Sequence, residues 1–454
     1  MNPILPLNFY MPDGEPRIFG DTLYLYGSHD LYKGNNYCLG ELYCAYSKIN
    51  DLKNFKLKKI LTFESSGHSF EEAGSFQAPD CINYNGKYYL YVNRMKSSRC
   101  DIAVSDSPLG PFKDYGFVQN KDGSPFDLRF FDPAIFIDDD NRIYLYTGFC
   151  PSKESRFANV ANPYSQVLEL DKDMKTVLGG PYNLIPGPLK ASGTSFKDHP
   201  FFEASSLRKF NNKYYFIYSS SKSHELAYAI SDNPIKGFEC KGVLISNANI
   251  SFNNNLEYEL PWGNNHGSIA KINDKYIIFY HRQTTGMEAS RQAMAEFIQM
   301  DQNGLFSQAE MTTSGLEELN DKVSVNASRC TFIKSDYSNP KLTVGINKVN
   351  EIVTILQDDV YENIHYVNII KDAIIGFKYF NFKNSNILSI NVSGKAYLEV
   401  KQDLKGDSIC FLNITNDKDF YDIPIKPLIG KYPLYFIFKD VFNVKFYDFK
   451  LIER

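Results

Sequence analysis

Five times along this 454-residue chain, a polar or ionisable residue in an apolar frame is followed by a short turn and an aromatic strand. Pro12-Asp13-Gly14-Glu15-Pro16 leads to Leu23-Tyr24-Leu25-Tyr26, and Ala78-Pro79-Asp80-Cys81 leads to Lys87-Tyr88-Tyr89-Leu90-Tyr91. Phe131-Asp132-Pro133-Ala134 leads to Ile143-Tyr144-Leu145-Tyr146, and Phe201-Phe202-Glu203-Ala204 leads to Lys213-Tyr214-Tyr215-Phe216. The fifth is Asn265-His266-Gly267-Ser268 before Lys275-Tyr276-Ile277-Ile278-Phe279-Tyr280. Each reads as a β-hairpin with a polar group near the start of its first strand.

A second motif follows the hairpins. Ser105-Asp106-Ser107-Pro108-Leu109-Gly110-Pro111-Phe112 and Ser231-Asp232-Asn233-Pro234-Ile235-Lys236-Gly237-Phe238 are near copies, each after a short alternating strand. The unit is therefore a hairpin, a third strand, a Pro/Gly turn and a fourth strand. Units of about 50 to 70 residues repeated five times predict a five-bladed β-propeller. The first strand of each blade lines the central channel, so Asp13, Asp132, Glu203 and His266 are expected to converge there. Asp80 stands closer to its second strand and is expected to be offset. The repeat stops after Gly315, and residues 316–454 carry short alternating stretches separated by turns. The predicted fold is all-β: a propeller over 1–315, followed by a C-terminal β-sandwich over 316–454.

A net charge of −4 argues against a nucleic-acid partner, which needs a basic face to neutralise phosphates. No apolar run approaches the roughly 18 residues of a membrane span. The eight cysteines form no Cys-x-x-Cys pair and are spread thinly, which suggests free thiols in a reducing compartment. With no secretory signal visible after Met1, a cytoplasmic location is expected. No Gly-x-Ser-x-Gly elbow and no phosphate-cradling glycine loop is present.

Three carboxylates in one channel raise one another's pKa, which gives a site both a protonated acid and an ionised base. Glycoside hydrolysis needs such a pair, and inversion separates the two carboxyl groups by about 6.5–9.5 Å to admit a water. At these residues the chain resembles glycoside hydrolase family 43 over roughly residues 2 to 315. The resemblance implies Asp13 as general base, Asp132 as the group that tunes and orients the acid, and Glu203 as general acid. It also implies a fifth-blade His266 near a calcium ion, directly or through water, and an Arg282 that reaches substrate. Many relatives carry a Trp where this chain has Phe76, which makes Phe76 the candidate for sugar stacking. The C-terminal unit resembles attached carbohydrate-binding modules but lacks Trp.

The implied activity is inverting, exo-acting removal of terminal α-L-arabinofuranosyl or β-D-xylosyl groups from oligosaccharides. A galactan-active glycosidase of the same fold and a non-catalytic sugar-binding propeller are the alternatives. Each residue has a plainer reading as well. Glu15 competes with Asp13 as base, Asp132 could cap a strand, and Glu203 could pair with Arg208 or Lys209. His266 could be a satisfied core residue, His281 could serve to orient Arg282, and Asp138 to Asp140 read as a solvated turn. The C-terminal unit could brace the propeller or shape the pocket rim instead of binding polymer.

Overall fold

A computed structural model describes all residues except 68–73, 156, 158–161, 321, 416–418, 453 and 454. Four antiparallel four-stranded sheets and one three-stranded sheet follow one another along the chain. Their innermost strands are Glu15–Phe19, Phe76–Tyr84, Ala134–Ile137, Phe201–Phe210 and Ile269–Ile272. These are the hairpin strands expected from the repeats, because alternating Tyr, Phe, Leu and Ile suit a pleated surface buried on both sides. The rings pack between blades: Tyr146 and Phe216 lie 5.8 Å apart, and Phe19 and Tyr88 lie 5.1 Å apart.

The fifth blade comprises Ile269–Ile272, Lys275–Thr284 and Met287–Ile298. The chain's first residues run along its outer edge. Ile4 N–H donates to Ala293 carbonyl (3.0 Å), and the Asn2 side chain donates to Ala295 carbonyl (3.1 Å) and accepts from its N–H (3.0 Å). The first blade is thereby tied to the last, which closes the ring.

Beyond the propeller, strands from Leu319 to Ile452 form the sandwich, dominated by two long antiparallel strands, Ala373–Lys401 and Phe420–Ile452, with Leu319–Asn320 pairing parallel to the first of them. They enclose Phe377, Phe436, Phe446 and Phe449. This core is continuous with that of blades four and five, through Tyr228, Ile278, Tyr280 and Met311. Polar contacts cross the same seam: Lys378 Nζ lies 2.9 Å from both Glu259 and Glu310. No helix among the described residues is long and apolar enough to cross a membrane.

Candidate active site

The channel ends of the inner strands carry an unusual backbone. Asp13, Ala78 and Asp132 hold φ of 58°, 46° and 48°, and Ala204 holds 63°. Non-glycine residues seldom adopt this left-handed region, and clusters of them mark sites where the surroundings enforce strain. In blades one and three the strained residue is itself the aspartate. In blade four it is the residue after Glu203, within an irregular stretch of pairing between Phe201 and Ser206.

Asp13 is buried in a cage of donors. Arg291 Nη1 donates to Oδ1 (2.9 Å), and the Ser28 hydroxyl donates to Oδ2 (2.7 Å). The backbone N–H of Asp13 donates to His281 Nδ1 (3.3 Å), and His281 Nε2 lies 2.9 Å from Asn264 carbonyl. Burial, with Arg291 nearby, lowers the pKa of His281 to about 3. The neutral ring therefore keeps its proton on Nε2, which donates to Asn264, and accepts at Nδ1. Burial works against ionisation of Asp13, but Arg291 above all, with His266 and the Ser28 hydroxyl, overcomes it and holds the carboxyl below its usual range.

Asp132 accepts from Ala204 N–H (2.9 Å) and lies 3.5 Å from His266 Nδ1. Burial and the charge of Asp13 outweigh His266 and raise its pKa to about 6. Glu203 is buried, and among the described residues its carboxyl has no hydrogen-bonding or ionic partner. Burial first, then the charges of Asp132, Glu288 and Asp13, push it well above the ordinary carboxyl range. The three acids thus influence one another, and their environments separate them into an ionised group and a protonated one.

The residues that compete with them are engaged elsewhere. Glu15 binds Arg208 and accepts from the Ser206 hydroxyl (3.0 Å). Lys209 pairs with Asp138 (2.6 Å) and Asp139 (2.9 Å), so neither base near Glu203 in sequence neutralises it. Asp80 forms a two-point bridge with Arg17 (2.8 and 2.5 Å) and accepts from Ile135 N–H (2.8 Å), fastening blades one, two and three. Asp138 is not in a solvated turn: it is buried and accepts from Tyr214 hydroxyl (2.6 Å), while Asp139 and Asp140 are exposed.

Two expected substrate contacts lie elsewhere. Phe76 is fully buried, stacked on Phe63 at 5.0 Å in the core between blades one and two. Arg282 is buried against the C-terminal unit, donating to Cys330 carbonyl (2.5 Å), to Ser328 carbonyl and to Gln292 (3.2 Å). The reason is strand alternation. His281 and Gln283 face Asn264, so Arg282 between them faces the other way. The guanidinium that reaches the acids is that of Arg291, directly opposite Gln283 in the pairing.

Arg291 also binds Asp30 through Nε (2.8 Å) and Nη2 (2.9 Å), and Nη2 lies 3.2 Å from Cys38 Sγ. Glu288, from the same strand, accepts from Tyr37 hydroxyl (2.6 Å) and Asn264 N–H (2.8 Å). Sequence reading missed Arg291, Asp30 and Glu288, although counting alternate residues back from Gln283 across the hairpin would have singled out Arg291. Phe149 packs against Phe131 and Phe202, the residues before Asp132 and Glu203, with ring centroids 4.6 and 5.4 Å apart.

Direct ligation of the cation expected at His266 fits these residues poorly. Calcium takes six to eight oxygen ligands. Asp13 and Asp132 already accept protein donors, and among the described residues no group of three or more His, Cys, Asp or Glu could hold a metal. His266 instead stands between Asp132 and Asp13 as a polar neighbour of both.

The profile of glycosyl hydrolases family 43 matches residues 1–306. The chain belongs to family 43. It is 35% identical over 466 residues to a xylosidase/arabinosidase of Thermoclostridium stercorarium, an alignment covering 96% of each chain. A family 43 arabinoxylan arabinofuranohydrolase of Bacillus subtilis, solved with cellotetraose, superposes over 100% of this chain and 97% of its own. The TM-score is 0.53 and the identity 20%. A family 43 beta-xylosidase/alpha-arabinofuranosidase from a compost microbial metagenome, solved with xylotriose in a calcium-free form, covers 68% of this chain and 97% of its own. Its TM-score is 0.52 and its identity 23%. These solved family 43 structures share the fold.

Proposed function

We propose that this protein is an inverting exo-glycosidase that removes terminal α-L-arabinofuranosyl or β-D-xylosyl residues from plant-derived oligosaccharides. The observation that carries the proposal is the placement of three buried acids: Asp13 held by Arg291 (2.9 Å), Asp132 tied to the N–H of the residue after Glu203 (2.9 Å), and Glu203 itself, in surroundings that favour the ionised form of Asp13 and the protonated form of Glu203. Glu203, held protonated, gives its proton to the glycosidic oxygen as the bond breaks. Asp13, held ionised, takes a proton from the water that attacks the opposite face of the sugar. Asp132 keeps Glu203 protonated by its charge, and its bond to Ala204 N–H ties it to the backbone beside Glu203. The arabinofuranose and xylose specificity is supported by the names of the relatives.

We further propose a boundary at 315/316, supported by the last propeller strand ending at Ile298 and the first sandwich strand starting at Leu319. A cytoplasmic site of action on imported oligosaccharides is supported by eight free cysteines, all but Cys240 buried. A calcium ion enters this reading only as one held near His266 through water, and turnover with and without a chelator tests it. The main test is a panel of nitrophenyl glycosides, followed by NMR of the first anomer released. Turnover of the arabinofuranoside or xyloside with inversion is expected. Release of the retained anomer would overturn the assignment of Asp13 as base, and sugar binding without hydrolysis would leave a binding propeller.

A further inference from the structure

The C-terminal unit reaches the rim of this site. Its segment 340–349 pairs with the propeller through backbone: Trp262 N–H donates to Pro340 carbonyl (3.1 Å) and Leu342 N–H to Trp262 carbonyl (2.6 Å). Farther on, a Cβ added at Gly345 would stand 3.7 Å from Asn35 carbonyl, and Lys348 N–H donates to Gly286 carbonyl (3.0 Å). The segment thus touches the propeller at Trp262, just before blade five, at the blade-one loop two residues from Tyr37, and at the hairpin turn between His281 and Glu288.

Lys341, on this segment, is exposed. Its Nζ lies 2.8 Å from His224 Nε2 and 5.4 Å from the centre of the Trp262 ring. Trp262 is stacked on Tyr258 at 4.5 Å. His224 packs edge-on against Phe202, the residue before Glu203, with centroids 4.9 Å apart. Ring contacts therefore run from Phe202 through His224 to Trp262, whose centroid lies 6.4 Å from that of His224, and end on a lysine from the other unit.

The chemistry of His224 points to a ligand. An ammonium has only donors, so Nε2 accepts from Lys341 and the ring proton sits on Nδ1. His224 is 6% exposed, and its Nδ1 is buried without a partner among the described residues. A buried donor left unpaired costs about 1–3 kcal/mol, so a site that keeps one needs something to occupy it. A neutral N–H beside an ammonium, at the end of these ring contacts, suits the hydroxyl and ring oxygens of a sugar.

We propose that Lys341 of the C-terminal unit, together with His224, forms a subsite for the sugars beyond the scissile bond, so that the sandwich is part of the active site's specificity. The inference rests on the glycosidase reading above. In substrates with a chain of pentoses on the leaving side, those sugars meet Lys341 and His224. A nitrophenyl leaving group offers far fewer hydroxyls to them.

The test compares wild type with Lys341→Met and Lys341→Arg on xylotriose and on a nitrophenyl pentoside, with the melting temperature of each protein. For Lys341→Met, the ratio of kcat/KM on xylotriose to kcat/KM on the nitrophenyl pentoside is expected to fall about tenfold, the size of one charged hydrogen bond. The change should be carried by KM, and Lys341→Arg should recover most of it. An unchanged ratio in a protein whose wild type is active would overturn this inference alone. Equal losses on both substrates with a lowered melting temperature would overturn it in favour of a brace. Wild type inactive on both substrates would remove the glycosidase reading and this inference with it.

Discussion

Replacing Arg291 with Met removes the guanidinium that donates to Asp13 Oδ1 at 2.9 Å. At the effective dielectric of about 20 that suits buried protein sites, unit charges about 4 Å apart interact by about 4 kcal/mol, or about three pKa units. The Ser28 hydroxyl and His266 stay in place, so the net rise in the Asp13 pKa is expected to be about one to three units. Asp13 acts in its ionised form. A raised pKa therefore leaves less of the active base at low pH, and the acid limb of kcat/KM moves to higher pH by that amount. The same change strands Asp30, which holds Arg291 at 2.8 and 2.9 Å, so stability falls by about 3–5 kcal/mol. Arg291→Lys keeps a charge but loses the fork that serves both acids at once, so its limb should move less. The assays are a pH profile on a nitrophenyl glycoside and urea unfolding. An acid limb that stays in place in a folded, active Arg291→Met protein would refute the electrostatic account of Asp13.

Other outcomes follow from the same charges. Asp132→Asn keeps an oxygen for Ala204 N–H but removes a charge that raises the Glu203 pKa, so the alkaline limb should move to lower pH by roughly one to two units. A limb that moves upward would contradict it. Away from the site, burial raises Glu296 to about 8 even though Thr312 N–H (2.7 Å) and hydroxyl (2.9 Å) donate to it. Its folded pKa lies above the unfolded value of about 4.5, so its contribution to stability is complete below about pH 4.5 and is lost as pH rises through about 8. Glu296→Gln should therefore improve relative to wild type, by several kcal/mol, between pH 5 and pH 9 in unfolding measurements.

The parts of the fold that were legible in the sequence are those written in short-range pattern. Aromatic strands of period two, broken by Asn-Asn, Asn-Gly and Asp-Asn turns, specify hairpins, and their repetition specifies a ring. Once a ring is inferred, the starts of inner strands must meet, which is how residues as far apart as Asp13 and Glu203 could be named together. Side-chain direction is a finer property. The resemblance implies Arg282 as the guanidinium that reaches substrate, yet adjacent strand residues face opposite ways, and the same alternation carries Arg291 to the acids. Phe76 opens its strand as Phe201 opens another, but it packs sideways against Phe63 between two blades. Partners from remote segments left no local trace: nothing near Asp13 announces Arg291, and nothing near His224 announces Lys341.

The central claim is that Glu203 supplies the proton on which bond cleavage depends. Its most direct measurement is turnover of an unactivated pentose oligosaccharide, whose leaving group needs protonation, by wild type and Glu203→Gln. A loss of about a hundredfold to ten-thousandfold, with melting temperature equal to or above that of wild type, is the predicted result. Undiminished cleavage by the variant would contradict it.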